Sequence, residues 1–177
     1  MFSGIVVLML GLKKLGLVKS AIIGTLLLGA SFNSLATTSE DYEKALRAYN
    51  VSEYDEAYIH LKNSLQKDPE NLAAKILMGR ILLINGYLVA AEQEFTEALS
   101  MGADINLLAE PLGNTWLFLN KYKDITEFNQ TEKLSGENRR DWLQITATAC
   151  VRLEDLLCAK REYSKILNDY PTHVPAM

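Results

Sequence analysis

Apolar residues recur along most of the chain at three- and four-residue spacing, the pattern of helices that each bury one face. The clearest stretch is 72–103. Its first half carries Ile76, Leu77, Gly79, Leu82 and Leu83, and its second half Leu88, Ala91, Phe95, Ala98 and Leu99. Asn85-Gly86 separates the halves, and glycine accepts the positive φ that a helix exit needs. The pattern predicts a hairpin of two helices. Gly79 and Ala91 are small where the helices approach, and Phe95 fills the space between them.

The same pattern returns every 34 residues. Ala45, Gly79, Gly113 and Ala147 share one register, and Ala57, Ala91, Ile125 and Ala159 another. Leu61, Phe95, Asn129 and Tyr163 form a third, and Tyr54, Leu88, Tyr122 and Leu156 a fourth. Pro69 and Pro171 lie three periods apart. A helix–turn–helix unit of this period resembles the tetratricopeptide repeat. The resemblance implies an all-α fold, a right-handed α-solenoid of four hairpins near 38–71, 72–105, 106–139 and 140–173, together a domain over 37–177. Stacked hairpins bury one another, and at least three are needed for a continuous core.

Local signals punctuate the copies. Thr38-Ser39-Glu40-Asp41 suits a helix start, and Asn50–Glu53 the first turn. In Asp68-Pro69-Glu70-Asn71 the proline stops one helix and Asn71 can cap the next. Gly102 suits a helix end and Asp104 an N-cap. The third copy is the least regular. Pro111 inside its first helix removes a backbone donor, which predicts a kink. Asn129 stands at a core register, where a buried unpaired amide costs roughly 1–3 kcal/mol. The expectation is that this second helix rotates to bury Phe128 instead and runs to Ser135-Gly136. The fourth copy then opens at Asp141-Trp142.

Residues 1–36 read as a separate segment. Lys13, Lys14 and Lys19 precede the apolar run Ala21–Ala30, and Ser34-Leu35-Ala36 fits a small-x-small cleavage site. The segment is therefore a signal peptide cut after Ala36 or a retained membrane anchor, with cleavage the preferred reading. A further apolar run, Phe2–Leu12, fits an anchor or a start at Met9. Neither run alone reaches the roughly 20 residues of a spanning helix. No cysteine precedes residue 150, which excludes a lipid-modified amino terminus. Export places the protein in the periplasm or at the outer face of the inner membrane.

The 177 residues carry a formal charge of −4. Without the three leader lysines, 15 basic residues face 22 acidic ones, a charge of −7. That balance argues against nucleic acid, whose phosphates call for a basic surface. No metal-ligand spacing, phosphate loop or nucleophile motif is present, and His60 and His173 stand alone. The expectation is a protein that is not an enzyme and takes no cofactor or metal. Cys150 and Cys158 flank the last turn at similar height. They form either a disulfide in an oxidising compartment or a pair of thiols that pack as small apolar groups.

The working face of such a stack is the inner side of the first helices. By helical spacing it takes Tyr42, Leu46, Tyr49 and Asn50, then Ile76, Arg80, Leu83 and Ile84. It continues through Glu110, Asn114, Leu117 and Phe118, then Asp141, Gln144, Thr148 and Arg152. The mixture of aromatic, aliphatic and amide groups, with Arg80 and Arg152 as isolated cations, suits a peptide or a protein helix. The alternative is that some of the apolar members only pack between repeats.

Three stretches are similar to one narrower family. They are Tyr54-Asp55-Glu56-Ala57 with 61–69, Ala91-Glu92 with 98–104, and 107–113 with its Pro111. The family is the exported tetratricopeptide protein of the PEP-CTERM/exosortase system. The resemblance implies a non-enzymatic binding scaffold in the bacterial cell envelope that serves assembly or export of exopolysaccharide or surface protein. The alternative is an anchored accessory subunit of an envelope synthase. At the other end, 172–177 matches the opening of a further first helix, as after Pro69. This predicts a truncated copy of a longer protein, with Leu157, Tyr163, Ile166 and Leu167 uncovered, so that the end either frays or self-associates weakly.

Overall fold

The computed structural model describes residues 40–171. The leader, His173 and the remaining terminal residues lie outside them. Within them the fold is the predicted all-α solenoid, with eight α-helices and no strand. Helix α1 covers 40–50, α2 Tyr54–Lys67, α3 Leu72–Ile84 and α4 Leu88–Ser100. Helix α5 covers Ile105–Phe118, α6 Tyr122–Glu127, α7 Gly136–Arg152 and α8 Leu156–Asp169. Consecutive pairs make the four hairpins, and each hairpin packs against the next.

The 34-residue register is fixed in the backbone by the turns. Ser52, Gly86, Asn120 and Glu154 all have positive φ, at 63°, 79°, 57° and 59°. Each is followed by a residue whose N–H reaches back to a carbonyl of the helix just ended. Glu53 bonds Ala48, Tyr87 bonds Leu82, Lys121 bonds Trp116 and Asp155 bonds Cys150, at 2.8–2.9 Å. These six-to-one bonds satisfy carbonyls that have no partner within the helix. Three of the four left-handed positions hold side chains, so hydrogen bonding and packing override the steric preference for glycine.

The helix starts follow the sequence. Asn71 accepts from the Ala74 N–H at 3.0 Å, and Asp104 from Asn106 at 3.0 Å. Gly102 has φ 92° at the end of α4. The core runs continuously from Ala45 through Phe95 and Leu112 to Trp142 and Ala149. Phe95 is fully buried, and a Cβ added at Gly79 would lie 2.5 Å from its ring. That contact is why this register holds glycine.

Repeat three departs from expectation in two ways. Its second helix does not rotate: it stops after six residues at Glu127. Phe128 then turns extended and packs its ring on Trp116 and Trp142, with centroids 5.6 and 5.0 Å away. Asn129 is exposed, as the cost of burying its amide requires. A short 3₁₀ turn, Thr131–Lys133, follows. Ser135-Gly136 does not end a helix but begins α7, five residues before the expected start at Asp141. Asn106 ties down the connection by donating to the Lys133 carbonyl and accepting from the Ser135 N–H.

Pro111 lies inside α5 and is buried, yet the helix continues to Phe118. Proline leaves the Leu107 carbonyl without its helical donor. The Arg80 guanidinium, from the repeat before, supplies that bond at 3.1 Å.

Candidate functional site

The first helices α1, α3, α5 and α7 carry the sixteen residues expected on the inner face, and the structure sorts them by exposure. Tyr42, Leu46, Tyr49, Ile76, Leu83 and Leu117 are half-buried against the core. Burial and the neighbouring Glu43 raise the Tyr42 hydroxyl above the usual tyrosine range. Tyr49 lies against Tyr54 of the next helix at 5.7 Å between ring centroids. Asn50, Ile84, Phe118, Gln144 and Arg152 are exposed. Ile84 is 47% and Phe118 66% accessible, one period apart on neighbouring hairpins.

The polar members are mostly engaged. Asn114 donates to Glu110 at 2.6 Å, one turn away on α5. Arg80 is not the isolated cation its sequence position suggested, since it serves the carbonyl opposite Pro111. Asp141 is held by Arg140 at 2.9 Å. Thr148 donates to the Gln144 carbonyl. Arg152 has no side-chain hydrogen bond or ion pair among the described residues. Sequence spacing passed over Leu107, an α5 residue that is 52% exposed. The exposed part of the expected face is thus narrower than the face the sequence outlined, and its large apolar members are Ile84 and Phe118.

Ion pairs link neighbouring elements and, in α8, residues of one helix. Glu92 of α4 accepts from Trp116 Nε1 at 2.7 Å and from Lys121 at 2.6 Å, joining repeats two and three. Lys75 of α3 meets Glu97 of α4 at 2.7 Å and Glu94 at 3.6 Å. Burial opposes its charge, but the two carboxylates outweigh that and raise its ammonium group above the usual range. Glu162 of α8 is buried, which pushes its carboxyl up. Lys165 and Arg161, each 2.8 Å away, more than offset the burial and hold it below the usual range.

The structure joins Cys150 and Cys158 as a disulfide across the last turn, with Cα atoms 5.7 Å apart, inside the usual span. Beyond it, α8 packs chiefly on α7. Ile166 is buried, contrary to its expected exposure, on a helix whose main packing partner is α7. Leu157, Tyr163 and Leu167 are exposed, and Leu157 is 82% accessible. His60 is half-buried, with Nε2 3.5 Å from Glu56 on its own helix. Among the described residues no three side chains gather as a metal site, and no helix is long and apolar enough to cross a membrane.

Neither a family model nor a curated protein matches the sequence. Solved structures do match. A tetratricopeptide repeat protein from Parabacteroides merdae superposes with a TM-score of 0.68 at 22% identity, over 78% of this chain and 56% of that one. The pilF protein of Pseudomonas aeruginosa gives 0.63 at 13% identity, over 80% and 64%. The TPR domain of Arabidopsis OM64 gives 0.50 at 15%, over 77% and 98%. The fold is therefore that of tetratricopeptide repeat proteins. The chain spans little more than half of the first of these and under two thirds of the second.

Proposed function

We propose that the protein is a non-enzymatic scaffold that holds a peptide or protein helix along its first helices. The observation that carries this reading is the pair Ile84 and Phe118, two large apolar side chains left open one repeat apart. Side chains at that spacing suit the successive apolar anchors of an amphipathic segment. Asn50, Gln144 and Arg152 supply polar contacts on either side. The leader supports export, so the envelope is where a partner is to be sought, as in the assembly or export of surface material. A retained leader would instead make the protein an anchored accessory subunit, a reading favoured by the extra apolar run Phe2–Leu12.

Photocrosslinking from position 114 in intact cells tests the scaffold. The Ile84→Glu, Phe118→Glu double variant should lose the crosslinked species while its thermal melt stays unchanged, since both side chains are exposed. The same species at equal yield would place the binding face elsewhere. Intact mass of protein from the envelope separates the two leader readings: a chain beginning at Thr37 favours the free scaffold, and one retaining Met1 or Met9 the anchored subunit. The open side of α8, with Leu157 and Leu167, supports weak self-association, which light scattering across concentration would register.

A further inference from the structure

The early stop of α6 leaves a space beside repeat four. Helices α2, α4 and α8 run 14, 13 and 14 residues, and α6 runs six. Where two further turns would lie, the chain crosses as Phe128 and a short 3₁₀ turn, beside a cavity of about 230 Å³. Its apolar wall includes Phe128 and Trp142, whose rings pack 5.0 Å apart. Its polar wall includes Arg139, Arg161 and Lys165 against Glu132 and Glu162. Three cations therefore face two carboxylates.

Those charges are not equally free. Glu162 is occupied by Arg161 and Lys165, and it occupies them in turn. Arg139 is exposed, and among the described residues its guanidinium has no hydrogen bond or ion pair. Glu132 is likewise unpaired among the described residues, and the lining as a whole keeps one positive charge in excess. Of the three cations, Arg139 alone has its five donors free of Glu162, in a fork that fits a carboxylate with two parallel bonds. The volume is below the 300–1,000 Å³ usual for drug-sized ligands, so the space takes about one ring or one branched side chain.

We infer that this cavity binds a small aromatic carboxylate, with the ring against Phe128 and Trp142 and the carboxylate held by Arg139. The site shares no residue with the first-helix face, so it stands or falls independently of the scaffold reading. The same chemistry is offered by a free aromatic acid and by the terminal carboxylate of a peptide ending in phenylalanine.

Nuclear magnetic resonance of the Trp142 side-chain indole N–H, assigned by comparison with Trp142→Phe, tests this on the exported chain. The probes are phenylacetate, a pentapeptide ending in phenylalanine, and the neutral amide of each. Saturable shifts are expected for the acids, with at least tenfold weaker binding by the amides. Arg139→Gln, a change at an exposed unpaired residue, should weaken acid binding to the same degree while leaving the amides unaffected. Tighter binding by phenylacetate would identify a free metabolite as the source, and tighter binding by the peptide a partner's chain end. Equal binding of acid and amide, acid binding unchanged in Arg139→Gln, or no saturable shift up to 10 mM (about −2.7 kcal/mol at that dissociation constant) would overturn the inference.

Discussion

Repeats two and three start from the same plan and fill their cores from opposite directions. In repeat two, Gly79 of the first helix meets Phe95 of the second, and the hairpin closes on itself. Gly113 is its counterpart one period on. A Cβ there would meet Trp142 and Ile145 of α7 at 3.0 Å, and no group of its own second helix comes so near. The register that holds Phe95 in one hairpin holds exposed Asn129 in the other. Repeat three therefore completes its aromatic filling with Trp142 of repeat four. Trp116, Phe128 and Trp142 form one cluster, with centroids 5.0–6.4 Å apart. The lesson is that a solenoid can lose two turns of a helix if the next repeat supplies the missing volume. The third and fourth hairpins then cease to be separable units.

The largest effects expected from this comparison come from the two aromatic anchors. Phe95→Ala and Trp142→Ala should each cost about 3–5 kcal/mol, since each empties a buried aromatic site. Chemical denaturation would measure both, and a cost under 1 kcal/mol for either would remove that residue from its central role. Next comes the clip on repeat four. Reducing the disulfide should lower stability by about 2–3 kcal/mol, from the loop-closure entropy of a short loop. The oxidised protein should yield no thiol to a labelling reagent under denaturing conditions and two after reduction. Two labelled cysteines before reduction would contradict the pairing.

The smallest effect separates the two glycines. Gly79→Ala drives a Cβ to 2.5 Å from a fully buried ring and should cost about 1–3 kcal/mol. Gly113→Ala would meet the Ile145 side chain and the Trp142 ring at 3.0 Å, a milder overlap than 2.5 Å, and should cost less. Thermal melts giving the reverse order would mean that the hairpin of repeat two is the looser of the pair.

Much of the fold was legible because its period is local and gap-free. The small-residue register from Ala45 to Ala147, the caps at Asn71 and Asp104 and the turn at Gly86 each follow from short-range chemistry. The positive-φ positions at Ser52, Asn120 and Glu154 were less visible, since no glycine marks them. The truncation of α6 was half-legible. Asn129 at a core register signalled that something must give, and Phe128 was recognisable as the substitute. Whether the helix would rotate or stop depended on Trp142, which lies 14 residues further on. The use of Arg80 was hidden for the same reason: its partner carbonyl, at Leu107, belongs to the next repeat and is freed by a proline four residues beyond. The face proposed to bind a partner was legible as a row of helices but not residue by residue. Helical spacing alone does not tell Ile84, which stays open, from Leu83, which packs.

Hydrogen exchange across α5 in Trp142→Ala tests the shared core most directly. Trp142 belongs to repeat four by sequence. If repeat three borrows its filling from there, the variant should lose protection over 108–117 of α5 about as much as over α7, with α3 and α4 little changed. Loss confined to α7 and α8, with α5 as protected as in the parent protein, would show that repeat three holds itself together and contradict the account.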